Sequence, residues 1–119
     1  MRDHNYFVYI LTNKGRTATY VGVTNDLESR LIQHFEDSKI ENTKRHAGKY
    51  NCYYLIYFER FPDINYAIER EKEIKKWRRE KKDRLINSKN NYWTFLNHPE
   101  QGELDDEAID KFLNDELNK

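Results

Sequence analysis

The chain has a single cysteine, Cys52, in 119 residues. No intrachain disulfide is possible, and one thiol cannot build a zinc knuckle. The expected state of Cys52 is a buried thiol beside a strand, since a free cysteine usually behaves as a small apolar side chain. No apolar run reaches transmembrane length, and the polar start Met1-Arg2-Asp3-His4-Asn5 is no signal peptide. A cytoplasmic protein without membrane contact is the expectation. Internal repeats and low-complexity linkers are also missing, so the length predicts one small domain.

Net charge is missing too, with 21 basic against 21 acidic residues. The balance conceals a division. Residues 99–119 hold eight acids against Lys111 and Lys119, a charge of −6, which leaves +6 on residues 1–98. A basic body with an acidic tail suggests an electrostatic partner, although a solvating tail is the plainer reading. The expected division is a domain over residues 1–98 and an acidic C-terminal tail over 99–119.

What is present is patterned. Tyr6–Thr12 and Thr19–Val23 are β-branched and aromatic and flank the turn residues Asn13-Lys14-Gly15-Arg16, which predicts a hairpin. Asn25, with Glu28 three residues on, predicts a capped helix with Leu27, Leu31 and Phe35 as its buried stripe. Arg30 and His34 are four apart and share another face. Residues 38–50 read as a loop. Tyr53–Phe58 reads as a buried strand, and Pro62-Asp63 starts a helix expected to reach Arg79. A shorter helix is expected near Lys82–Ser88. An irregular stretch follows to Pro99, with Trp93 and Phe95 folded back on the core. Asp105–Leu117 predicts a last helix with Ile109, Phe112, Leu113 and Leu117 on its apolar face.

Two tyrosine motifs lie on the hairpin, Val8-Tyr9-Ile10 and Tyr20-Val21-Gly22. They are followed by Arg30, His34 and, much later, Glu71. This ordered set over about residues 5–97 resembles the GIY-YIG nuclease family, in particular its small single-domain bacterial branch. It is similar to the catalytic N-terminal domain of the nucleotide-excision-repair endonuclease subunit. Phe7-Val8 stands where the family has Gly-Ile, and Val23 stands where several members carry lysine. The resemblance implies an α/β fold, a small three-stranded mixed sheet flanked by helices. It also implies a divalent-metal-dependent DNA endonuclease serving DNA repair or recombination. In the family the equivalent of Tyr9 is thought to activate the attacking water, with Tyr20 assisting. The glycine at 22 lets the substrate backbone approach. An asparagine near the domain's end helps shape the site, and Asn87, Asn90 and Asn91 are all candidates.

The residues themselves bear on these roles. Ile64, Ala67, Ile68, Glu71 and Ile74 share one helical face, which should pack on the sheet. A carboxylate there must be paired or metal-bound. Mg²⁺ (or Mn²⁺) suits a lone carboxylate because it keeps several waters. The plain alternative is an ion pair, with Arg30 a candidate partner. Arg30 is a permanently charged fork suited to a phosphate. His34 fits the role of base, acid or phosphate ligand, and on a helix it can equally be structural. A phenol is a poor base at neutral pH unless its environment lowers its pKa from about 10. Arg70–Arg84 holds nine bases among fifteen residues. There Lys72, Lys75, Lys76, Arg78 and Arg79 are the candidate nucleic-acid contacts. The alternatives to an enzyme are a nucleic-acid-binding module without useful turnover and a subunit whose protein partner supplies specificity.

Overall fold

The computed structural model describes residues 5–40 and 51–114. The hairpin forms as its pattern predicts, from β1 (Tyr6–Thr12) and β2 (Thr19–Thr24). Helix α1 spans Leu27–Ser38, strand β3 Tyr54–Phe61, helix α2 Ile64–Lys75 and helix α3 Arg79–Lys89. Two-residue strands β4 (Asn97–His98) and β5 (Glu103–Leu104) pair, and helix α4 (Asp106–Leu113) follows.

The class is α/β with three main strands, but the sheet is antiparallel throughout rather than mixed. Its order is β2-β1-β3, and β1 runs opposite to both neighbours. β2 and β3 do point the same way, but β1 separates them, so no parallel ladder forms. β1 is central, and Val8, Tyr9, Ile10 and Leu11 are all buried. Both faces of the middle strand are therefore covered, which accounts for its unbroken apolar run. The ladder slips between Ile10 and Leu11, where β3 carries an extra residue.

β3 lies at an edge, and asparagines cover its open groups. Asn97 accepts from the Leu55 amide at 2.8 Å and donates to the Tyr53 carbonyl at 3.0 Å. Asn90 donates to the Ile56 and Thr94 carbonyls and accepts from the Thr94 amide. The Leu96 amide donates to the Leu55 carbonyl. An edge so occupied cannot recruit a further strand.

Several boundaries differ from the sequence expectation. Asp26, not Asn25, caps α1, accepting from the Ser29 amide and hydroxyl, and these bonds hold its carboxyl below the usual range. α2 ends at Lys75 rather than Arg79. The amides of Lys76 and Trp77 bond three residues back, tightening the last turn, and Trp77 packs against the core. Arg78 is extended and starts α3 earlier and longer than expected. In α1 Phe35 is only half-buried, and His34 takes the third buried place beside Leu27 and Leu31. Ile64 is largely exposed, being in the first turn of α2. Trp93 and Phe95 do fold back on the core, and Cys52 is buried, its thiol pushed up to about 11 by desolvation.

The described part of the acidic segment does not merely solvate. Phe112 is buried, stacked on Phe58 at 5.0 Å and edge-on to Tyr57 at 5.7 Å, with Ala108 beside it. Leu113 is exposed, so the apolar face is Ala108, Ile109 and Phe112. Leu117 and most of the 38–50 loop lie outside the described residues. Among the described residues no helix is long and apolar enough to cross a membrane.

Candidate active site

Tyr9 sits mid-strand, with Gly22 opposite it on β2 and Phe58 opposite it on β3. Its ring lies across Gly22. A Cβ added at Gly22 would land on Cζ and Oη of Tyr9. The observed need for glycine is therefore room for the tyrosine ring, whereas the resemblance implied room for substrate.

The Tyr9 hydroxyl is 2.8 Å from Nε2 of His34 on α1. Tyr20 completes a group of three rings, 5.0 Å from His34 and 6.3 Å from Tyr9 between centroids. His34 is buried here and Tyr20 half-buried. Helix spacing explains the placement. Leu27 and Leu31 anchor α1 on the sheet, and His34, three residues past Leu31, falls on the same buried side.

Arg30, one turn earlier, is half-buried and donates to the Gln33 amide oxygen at 2.8 Å. Its guanidinium also acts on Tyr9. Burial pushes the Tyr9 phenol well above its ordinary value, and the charges of Tyr20 and Glu71 push the same way. The charge and hydrogen bonding of Arg30 pull it down. Burial wins, so Tyr9 is a neutral phenol at neutral pH. Tyr9 is thus the point at which all five sequence-predicted residues meet, by contact or by charge.

Glu71 on α2 has a side chain only 15 % exposed and pairs with Lys75 at 3.3 Å, one turn on. That pair replaces the Arg30 pairing considered from the sequence. The donor set bears on which cation fits. Among the described residues no group of three or more His, Cys, Asp or Glu is placed to hold a metal. A lone, mostly buried carboxylate such as Glu71 is a donor of the kind Mg²⁺ or Mn²⁺ can take, since these ions keep most of their water.

The five candidate basic contacts divide. Arg79 donates to Asp83 at 2.9 Å and to the Thr17 carbonyl at 3.0 Å, and Lys75 is held by Glu71. Lys72, Lys76 and Arg78 are exposed, with no ion pair among the described residues. Neighbouring Arg70 is gripped by Glu59 at 2.8 and 3.0 Å and by Glu73 at 2.5 Å, bonds that raise its pKa further. Asn90 is fully buried in backbone bonds, and Asn87 accepts from the Trp93 indole at 2.6 Å. Both therefore have structural duties.

Sequence reasoning missed a belt at the hairpin end. The Arg16 guanidinium lies 4.1 Å over Phe95 and donates to the Trp93 carbonyl, while Arg79 lies 5.8 Å from the Trp93 ring. Arg16 and Trp93 are 77 residues apart, so no local pattern announces them. Trp93 is also held at positive φ, an uncommon state for a bulky residue.

Comparison with known proteins adds an independent line. Residues 5–84 match the family model described as the GIY-YIG catalytic domain. The chain is 33 % identical over 86 residues to a UPF0213 protein of Bacillus pumilus, covering 72 % of this chain and 83 % of that one. It is 40 % identical over 83 residues to a UPF0213 protein of Clostridium perfringens, covering 70 % and 84 %. The solution NMR structure of a UPF0213 protein from Bacillus halodurans is 29 % identical, covers 70 % of this chain and 83 % of its own, and gives a TM-score of 0.44.

Proposed function

Because the chain belongs to the GIY-YIG nuclease family, we propose that it is a divalent-metal-dependent endonuclease that hydrolyses DNA phosphodiester bonds, in DNA repair or recombination. The observation that carries the reading is the hydrogen-bonded Tyr9–His34 pair, beside Tyr20 and under the charges of Arg30 and Glu71.

Each residue has a task that its surroundings suit. Tyr9 is held protonated by burial, so it needs an acceptor before it can serve as a base. With its proton on Nδ1, His34 would accept the phenol proton at Nε2, 2.8 Å away. Proton transfer to His34 makes Tyr9 a phenolate, which takes a proton from the attacking water. The charge of Arg30 favours that phenolate, and its remaining donors bind a phosphate oxygen. Tyr20 hydrogen-bonds the water or the phosphate. Glu71 would hold the divalent cation, which would take the place of Lys75 as the partner of its mostly buried carboxylate. When bound, Mg²⁺ or Mn²⁺ polarises the phosphoryl oxygen and stabilises the leaving oxygen. Lys72, Lys76 and Arg78 supply sequence-independent phosphate contacts.

A second reading is a nucleic-acid-binding module without turnover, or a subunit that cleaves only with a protein partner. The burial that keeps Tyr9 protonated favours it. One assay separates the two. The purified chain, given Mg²⁺ or Mn²⁺, is expected to nick at least one of flapped, branched and plain duplex DNA, with no product in EDTA. Binding without cleavage under every condition would favour the second reading.

A further inference from the structure

The end of the β1–β2 hairpin brings together two backbones in a state that large side chains seldom adopt. Arg16 stands at φ 58° and Trp93 at φ 52°, and the Arg16 guanidinium donates to the Trp93 carbonyl at 3.1 Å. Glycine would hold either position without strain, and strain of this kind collects where a side chain has a use. We propose that this hairpin end is a second contact with DNA, where Arg16 and Lys14 hold a backbone phosphate of the strand flanking the cut. The proposal rests on the DNA reading above and adds where the flanking duplex lies.

The turn presents Arg16 on a fixed frame. The Asn13 side chain accepts from the Thr17 and Ala18 amides at 2.8 and 3.0 Å, and its carbonyl accepts from the Arg16 amide at 3.0 Å. The guanidinium lies 4.1 Å over the Phe95 ring. A ring contact takes the face of a guanidinium and leaves its in-plane donors to bond. Of these, Nε takes the Trp93 carbonyl, and one terminal nitrogen reaches the Lys14 carbonyl at a long 3.5 Å. Arg16 and Lys14 are exposed, and among the described residues neither pairs with a carboxylate. A charged fork already pinned in place loses little freedom when it takes a phosphate.

Position favours the same use. Thr12, where the turn begins, is three residues along β1 from Tyr9, about 10 Å away. That is about three phosphates along one strand, so a single duplex can span both places. Arg79 connects them. It donates to the Thr17 carbonyl at 3.0 Å and lies 5.8 Å over the Trp93 ring, at the end of the run Lys72, Lys76 and Arg78 that begins beside Glu71. Asp83 holds Arg79 at 2.9 Å and offsets its charge, so the phosphate falls to Arg16 and Lys14.

The test is binding of the full chain to plain duplex DNA in EDTA, where cleavage is blocked, with affinity followed from about 50 to 200 mM salt. Arg16→Gly keeps the positive-φ backbone without strain, and Lys14→Ala alters an exposed side chain. Melting curves confirm that each folds. Arg16→Gly is expected to weaken binding about tenfold at the lowest salt. Each variant is expected to lower the slope of log affinity on log salt by about one, the mark of one lost phosphate contact. Should Arg16→Gly fail to fold, Lys14→Ala decides alone. An unchanged slope in the folded variants, with or without lower melting, makes Arg16 a clasp for residues 93–95 and overturns the proposal. Nicking by the wild type with that unchanged slope overturns the hairpin contact alone. A lowered slope in a chain that nicks no DNA overturns the nuclease reading and leaves the hairpin contact standing. A wild type that binds no duplex at any salt overturns both.

Discussion

Two demands conflict at Tyr9. In the proposed role of base it must ionise, yet its burial in the sheet favours the neutral phenol. Its pKa is raised in the folded chain, so above pH about 10 the unfolded state binds fewer protons than the native one. The stability contributed is whole below that pH and declines as pH climbs toward the folded value. Tyr57 is raised as well, chiefly by burial, so both residues contribute to the decline. Tyr9→Phe should remove its share, flattening the fall in urea midpoint between about pH 9 and 11. An unchanged slope would mean the phenol is not buried in solution. Gly22→Ala tests the same ring from beneath. The added methyl strikes Cζ and Oη, so the ring must shift and the bond to His34 is lost. Overpacking of this kind costs about 1–3 kcal/mol. Nicking should fall further than stability does. A Gly22→Ala chain with wild-type rate and wild-type melting would show that the ring has room to spare.

At the scale of elements, Asn90 joins the end of α3 to the open edge of β3 and to the turn before Leu96. Asn90→Ala removes three hydrogen bonds, one buried and two part-buried, and strands their partners. At about 1 kcal/mol net for each bond, the loss should be about 3 kcal/mol, read as a lowered urea midpoint. A loss under half that would mean water replaces the amide. These elements also show what the chain reveals in advance. The hairpin and helices were legible because period-2 and period-3.6 patterns are local, and Tyr9, Tyr20, Arg30, His34 and Glu71 follow one another in a readable order. The antiparallel pairing of β3 was not legible, because direction is set by the long connection and not by the strand's own residues. Asn90 was considered only as a candidate site asparagine and Asn97 was not singled out, since the groups they satisfy at the start of β3 lie 34 to 44 residues away. Lys75 lies one turn from Glu71, yet only Arg30 was considered as its ion-pair partner.

At the scale of the molecule, the acidic segment is tied to the basic body by an apolar plug as well as by charge. Phe112 packs on Tyr57 and Phe58, and Lys89 lies 5.7 Å from its ring. The contact is with β3, through Tyr57 and Phe58. Phe112→Ala should therefore cost about 3–5 kcal/mol, like other buried phenylalanines, and a chain ending at His98 should melt lower still. Unchanged melting on either change would return the segment to the role of a solvating tail. The central claim concerns Glu71, the carboxylate proposed to hold the metal beside the tyrosine site. It is tested most directly by comparing purified wild-type and Glu71→Ala chains for Mg²⁺-dependent nicking and for DNA affinity in EDTA. The account predicts that cleavage is abolished while affinity changes little, because binding is spread over Lys72, Lys76, Arg78 and other bases. Cleavage by Glu71→Ala at the wild-type rate would contradict it.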